Sequence, residues 1–92
     1  MPIDDQLQRQ FETVVDQHAD SMYRVAFRLT GHHDLASELV QETFLQAWQG
    51  LASLRDQSRL RAWMFGILRF QFSKQIRRES RTSSLLPEVA GE

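Results

Sequence analysis

Apolar residues recur at helical spacing along most of this chain, and the longest such run, residues 34–51, constrains the fold most. Its apolar positions follow one another as they do on the core-facing side of an amphipathic helix: Leu35, Ala36, Leu39, Val40, Phe44, Ala47, Trp48 and Leu51. No segment alternates apolar and polar residues as a half-buried strand does. The sequence therefore predicts an all-α fold.

Three more segments show the same period and predict helices, namely residues 6–18, 21–30 and 59–81. Asp20 and Ser21 are a plausible N-cap pair between the first two of them, although these two segments can equally form one bent helix. A glycine often follows the last turn of a helix, so Gly31 is expected to end the second segment. The prediction is a compact bundle of three to four helices.

The rest of the chain predicts no further element. Residues 52–58 break the helical period and predict a loop, in which Ser58 can cap the last helix. A chain of 92 residues is long enough for one small core but not for two. We expect one domain over residues 1–82, followed by a tail or the start of a linker over residues 83–92.

Composition excludes several classes of function. The chain has no cysteine, which excludes disulfides, thiolate metal sites and cysteine nucleophiles. It has no apolar run of the ~20 residues that a membrane span needs and no signal-peptide pattern, so a cytoplasmic location is expected. His32 and His33 lack partners at metal-binding spacing, and there is no glycine-rich phosphate loop. We expect no enzyme activity, no metal and no cofactor.

Charge divides the chain into an acidic and a basic part. Residues 1–45 hold three basic and eight acidic groups, a net charge of −5, whereas residues 55–81 hold eight basic and two acidic groups, a net charge of +6. The whole chain carries only −1. Such a distribution indicates two different surfaces, of which the basic one has the sign that a polyanion requires.

The side of the third segment that faces away from its apolar stripe carries acids, amides and one leucine. Glu38, Gln41, Glu42 and Leu45 follow one another at helical spacing, with Gln49 one turn further on. Spacing alone favours a solvated face with one exposed leucine. The alternative is a docking face, in which the acids and amides accept hydrogen bonds from a basic partner around Leu45 as an apolar centre.

The fourth segment interleaves aromatic and basic residues on one side. They lie within about one-sixth of the helix circumference and are Arg59, Trp63, Phe70, Lys74, Arg77 and Arg81. Rings that stack on bases and cations that meet phosphates suit a single nucleic-acid strand. The alternative is that Trp63 and Phe70 belong to the core while the arginines, with Arg78, form a solvated helix end. Arg55, Arg59 and Arg61, in or next to the loop, favour a polyanion.

Residues 34–48, DLASELVQETFLQAW, resemble region 2 of bacterial RNA polymerase sigma factors of the extracytoplasmic-function (ECF) group. That family has an A-E-D-L-V-Q-E-T-F-L-x-A-W run on the corresponding helix. This chain has Ser37 and Glu38 in place of the family's Glu-Asp pair, so one of the two acids is retained. Upstream, residues 11–31 are similar to the first helices of the family. Downstream, Trp63-Met64 and Arg77-Arg78 resemble the start and the basic end of its promoter-reading helix, so the resemblance covers about residues 8–82.

The resemblance implies two sites and their partners. The acidic face, Glu38, Gln41, Glu42 and Leu45, would dock on the clamp-helix coiled coil of the β′ subunit of core RNA polymerase. The following loop and helix would recognise and melt the −10 promoter element and hold its non-template strand, with a flipped-out base. The residues expected at the DNA are Arg55, Arg59, Arg61, Trp63, Phe70, Lys74, Arg77, Arg78 and Arg81. The resemblance also allows for an anti-sigma factor as a partner, and the alternative function is a helical protein–protein adaptor without DNA binding.

The chain departs from the family pattern in three respects. Phe70 stands where the family has Asn, and Lys74 stands where it has Asp. Both changes favour stacking or phosphate binding. The C-terminal helix-turn-helix that reads the −35 element in such factors, region 4, has no counterpart here, so we expect the chain to be a fragment of a longer factor.

Overall fold

Three long α-helices joined by short connections form the fold in this computed structural model, which describes residues 5–85 and the side chains of residues 5–80. The helices are α1 (Asp5–Thr30), α2 (His33–Gly50) and α3 (Leu60–Leu85), and two 3₁₀ turns, Leu51–Ser53 and Gln57–Arg59, lie between α2 and α3. No strand occurs within residues 5–85. The prediction of an all-α bundle of three to four helices is confirmed, with three.

Helix α1 runs without interruption through Asp20 and Ser21, so the first two predicted segments form one helix. Val14, Met22 and Ala26 are its buried residues. Their spacings of eight and four residues keep one face of a continuous helix toward the core, which leaves no reason for a break at residue 20. The helix ends where predicted, because Gly31 adopts φ 68° and its N–H donates to the carbonyl of Phe27 at 2.7 Å.

The core lies between all three helices. Its fully buried hydrophobic residues are Val14, Met22, Ala26, Ala36, Leu39, Ala47, Met64 and Leu68. At one end an aromatic cluster extends it, where Phe11 packs edge-on against Phe44 and Trp48 at centroid distances of 6.3 and 5.1 Å. Phe44 and Trp48, which the stripe predicted to face inward, are only half-buried because they pack on α1 at the margin of the bundle.

The connection before α3 is capped by Asp56 rather than by Ser58. Asp56 has an extended backbone, and its carboxylate accepts from the backbone N–H and the hydroxyl of Ser58 at 3.0 and 2.6 Å. The 3₁₀ turn Gln57–Arg59 precedes the α-helix. The first backbone N–H groups that need a capping partner therefore lie two residues earlier than they would if the helix began directly after Ser58.

Helix α3 continues beyond the core. The buried Gln75 donates from its side-chain amide to the carbonyl of Leu35 at 3.2 Å, which ties α3 to the first turn of α2. All five side chains from residue 76 to residue 80 are exposed. Residues 83–85 belong to α3, and the rest of the predicted tail, residues 86–92, lies outside the described residues.

Candidate functional site

The face of α2 that points away from the core carries the predicted docking residues. We call Glu38, Gln41, Glu42 and Leu45 the α2 outer face. Glu38 and Gln41 are exposed, and Glu42 is half-buried. Leu45 exposes 48% of its surface, far more than the core leucines, and follows Gln41 and Glu42 by one turn on the same side of the helix. The structure therefore brings the four residues together on one accessible surface.

One of these acids also contacts α3. Glu38 Oε2 lies 3.9 Å from Arg78 Nη2, and both side chains are more than half exposed. An exposed ion pair at this distance contributes at most ~1 kcal/mol. The contact shows, however, that Arg78 points toward the α2 outer face.

Phe70, Lys74 and Arg77 form an exposed surface on α3 that continues the line of Trp63. We call these four residues the α3 stripe. Phe70 exposes 58% of its surface, more than any other large hydrophobic residue described, and the ammonium of Lys74 lies 5.6 Å from its ring centroid. Arg77 is exposed and lies on the same side of the helix. The exposed ring of Phe70 can stack on a base, and the two cations beside it can neutralise phosphates.

Trp63 contacts the core and also contributes to the surface, which are the two alternatives that its sequence position allowed. Its ring packs against α2, where a Cβ on Gly50 would lie 3.0 Å from Trp63 Cζ2. Its other side lines an open groove of about 500 Å³ that Phe70 also lines. The half-buried indole thus both supports the core and shapes the surface.

The same groove contains two amide side chains that the sequence did not indicate. Gln46 from α2 and the buried Gln71 from α3 line it together with Gly66 and Ile67. A Cβ on Gly66 would meet nothing within 4 Å, so the glycine leaves the groove open. The two amides can each donate to or accept from the edge of a base. No sequence pattern pairs them, because only the packing of α2 on α3 places them side by side.

The remaining predicted DNA residues are Arg55 and Arg59 in the connection before α3, and Arg61 and Arg81 on α3. Arg55 is exposed in the loop, and Arg59 Nε lies 3.8 Å from Asp56 Oδ2. Arg61 lies about 160° round α3 from Trp63, and its guanidinium is 4.9 Å from the ring centroid of Phe65. The backbone of Arg81 belongs to α3, and its side chain is not among those described.

The loop before α3 is held by a charged cap. The hydroxyl of Ser58 and, to a smaller extent, its backbone N–H donate hydrogen bonds to Asp56, which hold the pKa of Asp56 below its usual value. The ionised carboxylate also faces Arg59. The cap therefore orders the segment that carries Arg55 and Arg59.

Two further observations concern the described part of the chain. Among residues 5–80 there is no group of three His, Asp or Glu side chains that could hold a metal ion. None of the three described helices is long and apolar enough to cross a membrane.

The fold is a small helical module with one acidic surface and one aromatic-basic surface. Comparison with known proteins identifies the family, since residues 14–82 match Sigma-70 region 2. The chain therefore belongs to the Sigma-70 region 2 family, which confirms the resemblance found in the sequence and the expectation that it is not an enzyme.

Similar proteins are ECF RNA polymerase sigma factors. The chain is 46% identical over 55 residues to SigL of Mycobacterium tuberculosis, covering 59% of this chain and 31% of that protein. It is 37% identical over 81 residues to EcfG of Rhodopseudomonas palustris, covering 88% of this chain and 42% of that protein. The chain spans less than half the length of these curated relatives.

Proposed function

We propose that this chain is the part of a sigma factor that binds the β′ clamp helices of RNA polymerase and recognises and melts the −10 promoter element. The observation that carries the proposal is the presence of two accessible surfaces of different chemistry on one small core. The α2 outer face is acidic and the α3 stripe is aromatic and basic. Each surface suits one of the two partners, and both partners are found in the cytoplasm.

The polymerase contact rests on the α2 outer face. Glu38 and Glu42 offer carboxylates, and Gln41 offers an amide, to the arginines and lysines of a basic coiled coil. Charge-assisted hydrogen bonds of this kind are roughly twice as strong as neutral ones. Leu45, which exposes 48% of its surface, is the apolar centre around which they are arranged.

The DNA contact rests on the α3 stripe and its groove. The open ring of Phe70 supplies a stacking surface, which is worth ~1–3 kcal/mol per base in single-strand binding. Lys74 and Arg77 lie beside it for the phosphates. The groove next to Phe70 receives an unstacked base, and the amides of Gln46 and Gln71 contact its edge.

Charge reversal tests the polymerase contact. Glu38→Lys/Glu42→Lys should weaken binding to a β′ clamp-helix fragment by at least ~2 kcal/mol, because two attractions become repulsions. The matched control is Glu12→Lys/Asp16→Lys, which makes the same change in net charge on the exposed side of α1. Equal binding by the two double variants would contradict the docking assignment.

Removal of the exposed ring tests the DNA contact. Phe70→Ala should reduce binding of fluorescent single-stranded oligonucleotides of mixed sequence, in the presence of core polymerase, by about tenfold. Phe27→Ala is the control, since Phe27 is also an exposed phenylalanine, 43% against 58%, but lies on α1. If neither variant nor Lys74→Ala changed DNA binding while the polymerase contact persisted, the helical adaptor would be the better description.

A further inference from the structure

A second groove lies between α1 and α3, away from both surfaces discussed so far. We call it the α1–α3 groove. It has a volume of about 490 Å³, and its apolar lining consists of Val25, Leu29, Phe65, Leu68 and Phe72. On α3, Phe65 and Phe72 lie about 150° round the helix from the α3 stripe. Neither the polymerase contact nor the DNA contact uses this groove.

The groove and its surroundings expose apolar surface that no side chain of residues 5–80 covers. Leu29 is 39% exposed, and Ile76, which continues the line of Phe65 and Phe72 along α3, is 49% exposed. The line from Phe65 to Ile76 extends about 16 Å at the helical rise, or three turns. An apolar strip of this length matches the i, i+4, i+7 and i+11 side chains of one docked helix.

Arginines border this apolar strip. Arg69 lines the groove, and Arg61 lies over Phe65 at 4.9 Å from the ring centroid. On α1 the exposed Arg28 lies about 60° round the helix from Val25. None of these three arginines forms an ion pair with a carboxylate among residues 5–80.

We propose that the α1–α3 groove binds an acidic amphipathic helix of a partner protein. The apolar side of that helix enters between Val25, Leu29 and Phe72, and its flanking Asp and Glu residues pair with the arginines of the rim. The groove suits an acidic partner, because Arg28, Arg61 and Arg69 are cations without counterions among the described residues.

Two other occupants fit the groove less well. A nucleic-acid strand stacks on aromatic rings, whereas the α1 wall of this groove, Val25 and Leu29, is aliphatic. A second copy of this chain would bring the acidic α2 outer face, but that face offers only Leu45 to fill a strip of three turns.

The test compares two designed peptides that are helical in isolation. Both carry leucines at i, i+4, i+7 and i+11, with flanking glutamates in one and flanking lysines in the other. Each is titrated into the ¹⁵N-labelled 92-residue chain. The glutamate peptide should bind at least ~10-fold more tightly, and the amide shifts should change at Val25, Leu29, Phe65 and Phe72.

Charge reversal at the rim should invert this preference. Arg28→Glu/Arg69→Glu should favour the lysine peptide, whereas the control Arg9→Glu/Arg77→Glu, with the same change in net charge, should keep the preference of the unaltered chain. Circular dichroism checks that the variants are folded, and if they are not, the comparison of the two peptides on the unaltered chain decides alone.

Four outcomes would overturn the proposal. They are equal binding of the two peptides, peptide-induced shifts confined to the α2 outer face, concentration-dependent shifts without peptide that reveal self-association, and tighter binding of a mixed-sequence oligonucleotide to the same residues. Equal binding of the two peptides would leave the polymerase and the −10 contact untouched, because those contacts use the α2 outer face and the α3 stripe.

Discussion

Two leucines six residues apart on α2 have opposite environments. Leu39 is 1% exposed in the core, whereas Leu45 is 48% exposed on the α2 outer face. Six residues rotate a helix by about 240°, so the two side chains point away from each other. The difference in burial gives the two leucines different roles. Leu39 supports the fold, whereas Leu45 is accessible to a partner.

The same truncation should therefore have different effects at these two positions. Leu39→Ala should lower the free energy of unfolding by ~2–5 kcal/mol, because it leaves a cavity in the core. Leu45→Ala should change it by less than ~0.5 kcal/mol and should weaken binding to the clamp-helix fragment. Urea denaturation of both variants provides the measurement. A similar loss of stability in the two would show that the α2 outer face is packed.

The cap of the loop makes a prediction about pH. Because the Ser58 hydroxyl is the main cause of the lowered pKa of Asp56, Ser58→Ala should raise that pKa, as measured by NMR titration of the carboxyl carbon. A lowered pKa stabilises the cap at neutral pH, and the contribution is lost as the pH falls through the folded-state pKa. An unchanged titration of Asp56 in the variant would mean that the hydroxyl contact is not formed in solution.

At the scale of whole elements, two glycines act in opposite ways. Gly31 ends α1 with φ 68°, a conformation that residues with a Cβ adopt only with strain. Gly66 lies inside α3, where an added Cβ meets open space. The first glycine is required by the backbone, and the second weakens its helix while it keeps the groove beside Phe70 open.

Alanine at the two positions should separate these effects. Gly31→Ala should destabilise the chain by ~1 kcal/mol or more, and Gly66→Ala should stabilise it by ~0.5–1 kcal/mol. Gly66→Ala should nevertheless weaken oligonucleotide binding, because its methyl group narrows the groove. Thermal unfolding with anisotropy titration measures both properties. Unimpaired DNA binding by Gly66→Ala would exclude close approach of the strand at that point.

At the scale of the molecule, α3 presents three different sides. Its buried side packs on α1 and α2 through Met64 and Leu68, one exposed side carries the α3 stripe, and another forms the α1–α3 groove. Arg77 and Arg78 are adjacent in sequence but about 100° apart round the helix. Only Arg77 lies in the stripe, since Arg78 turns toward Glu38.

The two arginines should therefore contribute unequally to DNA binding. Arg77→Ala should reduce the magnitude of the slope of log K against log salt by ~0.7, the value for one lost phosphate contact with a single strand. Arg78→Ala should leave the slope nearly unchanged. Titrations of a single-stranded oligonucleotide at several salt concentrations, with core polymerase present, measure both. Equal losses would show that the two guanidinium groups reach the strand alike.

The sequence by itself determined the features that depend on local period. The helical spacing of Leu39 and Ala47 predicted α2 and its outward side, and Gly31 marked the end of α1. Tertiary structure decided what depends on which helix faces meet: the single helix through Asp20, the packing of Trp63 against Gly50 and the division of the arginines among different surfaces. Backbone hydrogen bonds of a helix join residues four apart, so the residues that determine a helix are close together in the sequence. The choice of contacting faces is made by side chains far apart in the chain, which no local pattern records.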